Sequence, residues 1–114
     1  MQIEIVGRGF TLTEGIRAHV DRRMRFALGR LSGRVAHVRV TLGDENGPKG
    51  GRDKTCRVKV GLSGLQDVIV EQADLDLYAA IDRAADRVGR TVARRLDRAL
   101  LLALPRSGTP TEES

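Results

Sequence analysis

The chain has 114 residues, with 40% hydrophobic and 31% charged, the proportions of one folded globular domain with an adequate but modest core. Twenty Lys+Arg against fifteen Asp+Glu leave a formal charge of +5, which points to an anionic partner, either nucleic acid or a membrane surface. A single cysteine, Cys56, excludes an intramolecular disulfide framework, and the longest apolar run, 99–104, is far short of the roughly 20 residues of a membrane span.

Taken in chain order, residues 2–6 alternate with Ile3 and Ile5 on one side and predict a short strand. Nothing there has the pattern of a signal peptide, so an intracellular protein is expected. Thr11-Leu12-Thr13-Glu14 has capping-box spacing, with Thr13 an equally good N-cap. Ile16, Val20, Met24, Ala27 and Leu31 then recur at helical spacing until Ser32-Gly33 ends the run. Val38, Val40 and Leu42 predict a second strand, and Cys56, Val58, Val60 and Leu62 a third. Between them residues 43–53, with four glycines, read as a long hairpin loop. Ser63-Gly64 is a tight turn, and residues 67–73 form a fourth strand. Asp74 or Asp76 then caps a final helix from about Leu77 to about Leu104. Pro105 stops that helix, leaving residues 105–114 as an expected disordered tail beyond a single domain at 1–104. The order is β-α-β-β-β-α, an α+β fold with both helices on one face of a four-stranded sheet.

The last helix carries most of the functional signal. Seventeen of the twenty cations are arginine and three are lysine (Lys49, Lys54, Lys59). Arginine offers a planar fork of donors suited to phosphate. At 100° per residue, Arg83, Arg87, Arg90, Arg94 and Arg98 fall within about 80° of arc, nearly opposite the apolar stripe, and Arg95 flanks them. Asp82, Asp86 and Asp97 border the row, and an Asp86–Arg90 pair is expected at i,i+4. Three carboxylates do not neutralise six arginines. Such a stripe matches a run of phosphates better than a single ligand. The first helix adds Arg17, Arg22, Arg23, Arg25 and Arg30 more diffusely, and the hairpin loop adds Lys49, Arg52 and Lys54.

Aromatic residues are only 3% of the chain (Phe10, Phe26 and Tyr78), and none falls on a predicted strand. Base stacking on a sheet therefore has no platform, which leaves salt-dependent recognition of backbone and shape by arginine. Catalysis finds little support. His19 and His37 have no partner constellation, two His and one Cys make no convincing zinc site, and the glycines precede no P-loop Lys-Ser/Thr. Cys56 reads as a small core residue and Gly7-Arg8-Gly9 as a strand-end turn. No enzyme activity, cofactor or metal is expected.

The opening Met1-Gln2-Ile3-Glu4-Ile5, the Leu12-Thr13-Glu14 helix start and above all Asp76-Leu77-Tyr78-Ala79-Ala80-Ile81-Asp82 ahead of a basic helix resemble the ribosome hibernation promoting factor / protein Y family. Its members are also called ribosomal subunit interface or sigma-54 modulation proteins. The likeness covers about residues 1–98. It implies a fold related to double-stranded RNA-binding domains and a cytoplasmic, bacterial-type translation inhibitor acting under stress. Such a protein binds small-subunit rRNA at the decoding region and occludes the tRNA and mRNA sites. It also implies basic contacts at Arg87, Arg90, Arg94 and Arg98 and at Arg23 on the first helix. Tyr78 stands at the family's tyrosine and reads as packing the strand-to-helix corner. Leu96 and Phe26 replace frequent family cations, with Arg83 and Arg95 as compensating charges, and the 46–52 loop is longer and richer in glycine. The chain ends about where short family forms end, without the further domain of long forms. The expected partner is the small ribosomal subunit, with no small-molecule substrate and no membrane, and the protein itself a monomer or weak homodimer. Two other readings stay open: a generic double-stranded RNA-binding module, and a protein-interaction or transcription-modulating module. The second would use Leu100-Leu101-Leu102, a run that otherwise continues the packed face of the last helix or forms a homodimer contact.

Overall fold

Alternation and helical spacing decide the elements, and the computed structural model describes them over residues 1–9, 11–44 and 54–103. β1 (Gln2–Arg8) leads into α1 (Glu14–Leu28), a 3₁₀ segment (Gly29–Arg34), then β2 (Val35–Asp44), β3 (Lys54–Leu62), β4 (Val68–Asp74) and α2 (Leu77–Ala103). The strands pair in the order β1-β2-β3-β4, the first pair parallel and the others antiparallel. The predicted loop cations Lys49 and Arg52 and the predicted tail lie outside the described residues.

Caps fix where the helices start. Thr13 Oγ1 accepts the Ile16 amide at 3.1 Å, which selects Thr13 over Thr11 as the N-cap of α1. Replacing Thr13 with Ala should lower stability by about 1 kcal/mol in a urea melt, the usual cost of losing such a cap. At α2, Asp76 Oδ1 accepts the Tyr78 amide at 3.1 Å, while Asp74 Oδ1 accepts the Asp76 amide one step earlier. Helical spacing predicted one helix reaching Leu31. The α-helix instead stops at Leu28 and tightens to 3₁₀, where Gly29 and Gly33 weaken α-helix propensity. Between β3 and β4, Gly64 adopts φ +75°, the left-handed conformation that the Ser63-Gly64 turn needs. Two expectations about turns shift: Gly7 and Arg8 belong to β1, and Gly43 and Asp44 to β2.

One face of the sheet and one stripe of each helix form the core. Val38, Val40, Leu42, Cys56, Val58, Val60, Val68 and Val70 meet Val20, Met24 and Leu28 of α1 and Ile81, Ala84, Val88 and Val92 of α2. Among the described residues no polar or charged side chain is buried. Because strand side chains alternate, a one-residue slip in β2 or β3 would drive Arg39, Arg57 and Lys59 into this core, so the register is strongly held. The packed stripe of α2 runs only to Leu96. Leu100, Leu101 and Leu102 are 59%, 69% and 71% exposed, so the leucine run does not continue the packed face.

Burial in this apolar layer pushes the Cys56 thiol up to about 12 from an ordinary value of 9.0. The thiol is therefore protonated at neutral pH, where a thiolate is needed for attack. Alkylation of the native protein at pH 8 should be negligible and should appear only with unfolding. Because the folded pKa is the higher one, Cys56 subtracts nothing from stability below pH 9 and costs progressively more as pH rises from about 9 towards 12.

Candidate nucleic-acid interface

α2 is apolar on the side that meets β3 and β4, and its opposite side carries the arginines. Arg83, Arg87, Arg90, Arg94 and Arg98 are all exposed, and over the fifteen residue steps from first to last the row spans about 22 Å of helix axis. Arg87, Arg90, Arg94 and Arg98 have no ion pair or hydrogen bond among the described residues. Arg83 differs, its Nε lying 3.3 Å from Asp74 Oδ2 at the start of the row.

Two of the three carboxylates bordering the row, Asp82 and Asp86, turn towards α1. α1 and α2 run side by side in the same direction, and a polar clasp joins them. His19 Nε2 is 2.7 Å from Asp82 Oδ1, Arg23 Nη2 donates to Asp86 Oδ1 at 3.1 Å, and Arg23 Nε lies 3.1 Å from Asp82 Oδ1 without hydrogen-bond alignment. Arg22 Nη2 approaches His19 Nδ1 at 3.4 Å, so a neutral His19 with its proton on Nε2 satisfies both neighbours. The expected Asp86–Arg90 pair is thus replaced by Asp86–Arg23, because the neighbouring helix offers a half-buried guanidinium. Tyr78 packs edge-on against His19, ring centroids 4.8 Å apart, and so contributes to the helix–helix contact as well as the corner.

The eleven cations singled out from sequence therefore divide. Arg87, Arg90, Arg94 and Arg98 form an unpaired row; Arg22 is exposed on α1 against His19, and Arg83 is exposed but paired. Arg23 is a structural clasp. Arg95 leaves the row: about 100° round the helix from its centre, it is partly covered and donates from Nη1 to the Gln66 carbonyl at 3.4 Å. Lys54 Nζ is held by Asp44 at 2.9 Å across the β2–β3 pair. Lys49 and Arg52 lie outside the described residues.

Two features went unread in the sequence. His19/Arg23 on one helix and Asp82/Asp86 on the other are complementary i,i+4 pairs, a signal for helix pairing that single-helix reasoning passes over. The second is the sheet's uncovered side, where Arg8, Arg39, Arg57 and Lys59 occupy the outward positions of the alternating strands. Among the described residues no group of three His, Cys, Asp or Glu is placed to hold a metal, and no helix is long and apolar enough to cross a membrane.

The chain is an α+β domain of β-α-β-β-β-α order whose last helix carries a row of exposed arginines. The chain belongs to the family described as sigma 54 modulation protein / S30EA ribosomal protein, whose pattern matches residues 3–99. Among solved structures, the N-terminal domain of Protein Y from Thermus thermophilus is similar at 32% identity and TM-score 0.70, over 83% of this chain and 99% of that one. A ribosomal subunit interface protein from Coxiella burnetii shares the fold at 15% identity and TM-score 0.69, over 85% of this chain and 99% of that one. No curated protein matches significantly.

Proposed function

We propose that this protein is a cytoplasmic, ribosome-associated translation inhibitor of the hibernation type. It binds small-subunit rRNA at the decoding region and occludes the sites of tRNA and mRNA. The observation that carries this reading is the row Arg87, Arg90, Arg94 and Arg98, exposed and unpaired on a helix whose other side is fixed in the core. Family membership supplies the ribosome as the polyanion, and the similar solved structures carry the names Protein Y and ribosomal subunit interface protein. Inhibition is by occupancy: the domain needs no reacting group, only affinity and bulk at a site that translation must use.

The test is co-sedimentation of the purified protein with small ribosomal subunits across a salt series, with generic RNA duplex as competitor. Binding that falls steeply with salt and resists excess duplex is the expected result. Displacement by any duplex at equal affinity would instead identify a general double-stranded RNA-binding module, and no binding to subunits at low salt would sink the reading.

A further inference from the structure

The sheet has a second side, which the helices leave uncovered. Strand register places Glu4, Arg39, Lys59 and Ile69 in one cross-strand row and Val6, Thr41, Arg57 and Glu71 in the next. Arg8, Gly43, Thr55 and Ala73 make a third. A shallow concavity of about 580 Å³ lies over these rows, walled by Arg8, Arg39, Arg57 and Lys59. Its floor is Thr41, Gly43 and Thr55. Gly43 keeps that floor low: a Cβ there would lie 2.5 Å from Thr55 Oγ1.

The charges in this basin are loosely held. Arg8 and Arg57 have no ion pair among the described residues, although Glu71 stands directly opposite Arg57. Arg39 Nε is 3.8 Å from Glu4, with both side chains more than half exposed, and Lys59 Nζ is 3.5 Å from Asp67. Exposed contacts of this length are weak and screened. Arg8, Arg39, Arg57 and Lys59 face three carboxylates on this side of the sheet, Glu4, Asp67 and Glu71, and Asp44, which also lines the basin, is taken up by Lys54 at 2.9 Å. Like charges set on neighbouring strands repel, which an anion laid between them would relieve.

We propose that this face of the sheet holds a single strand of RNA by its phosphates, separately from the arginine row of α2. The patch spans three strands by four residue steps, from Arg39 to Gly43 on β2, on the order of 10 Å by 13 Å. That suits two or three successive phosphates of one strand and falls well short of the two successive grooves that a duplex-binding module contacts. The threonine hydroxyls on the floor add neutral donors suited to phosphate oxygens. The described part of the face carries no Phe, Tyr or Trp; its one aromatic ring, His37, lies over Gly61 in the row beyond Arg39 and Lys59, outside the basin lining, so phosphate contacts dominate and binding is largely indifferent to sequence. An acidic protein segment would match the charge, but the basin offers no apolar pocket to anchor one. The choice of RNA rests on the ribosomal reading above, and the result would be a protein that grips nucleic acid on both sides.

The probe is a fluorescein-labelled 12-nucleotide oligouridylate, followed by anisotropy over a salt series with the full chain. The Arg39→Gln/Arg57→Gln/Lys59→Gln variant should bind about tenfold or more weakly, with the slope of log K against log salt smaller by about 2, at roughly 0.7 per single-strand phosphate contact. Arg39→Lys/Arg57→Lys keeps the charge and should stay within about threefold of the parent. In the Arg87→Ala/Arg90→Ala/Arg94→Ala background, where the helix row no longer contributes, the three sheet substitutions should still cost about tenfold, because the oligonucleotide sits on the other face. The substituted side chains are exposed, so melting curves should overlay; were the triple sheet variant to unfold, Arg57→Gln alone carries the test, with a loss of about threefold. The proposal is overturned by no binding of the parent, by equal binding of the sheet variant, or by loss confined to the helix variant. Polyglutamate of equal length binding as tightly as the RNA would overturn it too. Co-sedimentation of the helix variant with subunits tests the ribosomal reading independently, so the two can fail separately.

Discussion

Replacing Arg87, Arg90 and Arg94 together with alanine should leave the fold unchanged and remove most of the affinity for small ribosomal subunits. The three side chains are exposed, make no ion pair among the described residues, and stand on the side of α2 away from Ile81, Val88 and Val92. Alanine is the better helix former, and the change also relieves like-charge repulsion along the row, so thermal stability should hold or rise slightly. Binding responds differently. Each arginine lost from a phosphate contact should reduce the slope of log K against log salt by about 0.7 to 0.9, or roughly 2 to 3 for the set. At about 1 to 1.5 kcal/mol per charge-assisted contact, affinity should fall by two to three orders of magnitude. Unchanged co-sedimentation would mean that the row is merely solvated. Arg23→Ala should invert the pattern, with a small loss of stability and a modest effect on binding, because that guanidinium ties α1 to Asp82 and Asp86.

Element order, sheet composition and the arginine row were all legible from periodicity, because one side of each element is buried and the alternation therefore cannot drift. The caps were legible to within two candidates each, Thr11 or Thr13 and Asp74 or Asp76, and the fold uses Thr13 and Asp76. What escaped reading depends on neighbours distant in the chain. An i,i+4 rule offers Asp86 only Arg90; the fold offers it Arg23, 63 positions away and better shielded from water. Helical angles already set Arg95 apart from the row, but only the β3–β4 turn explains where it goes, since Gln66 presents a carbonyl there. The basin on the sheet was hidden for a related reason. Each strand shows only one or two outward cations, and they become a cluster when register brings Arg39 beside Lys59 and Thr41 beside Arg57. The leucines at 100–102 misled in the opposite direction: a helical stripe continues in sequence past the point where there is sheet left to cover.

A tight contact between the two helices yields the second large effect. Gly89 faces Ala27, and a Cβ at Gly89 would lie 3.1 Å from the Ala27 carbonyl oxygen and 3.3 Å from its Cβ. A glycine inside a helix costs roughly 1 kcal/mol against alanine, so its presence in mid-α2 needs a packing reason, and this contact is one. Gly89→Ala sets that gain against a displacement of a few tenths of an ångström and should come out within about 1 kcal/mol of the parent. Gly89→Leu has no such balance. The obstacle is α1 backbone, not the end of a flexible side chain, so the helices must separate, at a cost of about 2 to 3 kcal/mol. For a domain of this size that lowers the melting temperature by roughly 10 to 20 °C. The His19–Asp82 and Arg23–Asp86 contacts one and two turns away would stretch as the helices part, so a leucine variant should also lose the coupling between Arg23→Ala and Asp86→Ala in a double-mutant cycle. A leucine variant that melts with the parent would show that α1 and α2 are not held this close in solution, and with it that the clasp does not set the position of the arginine row.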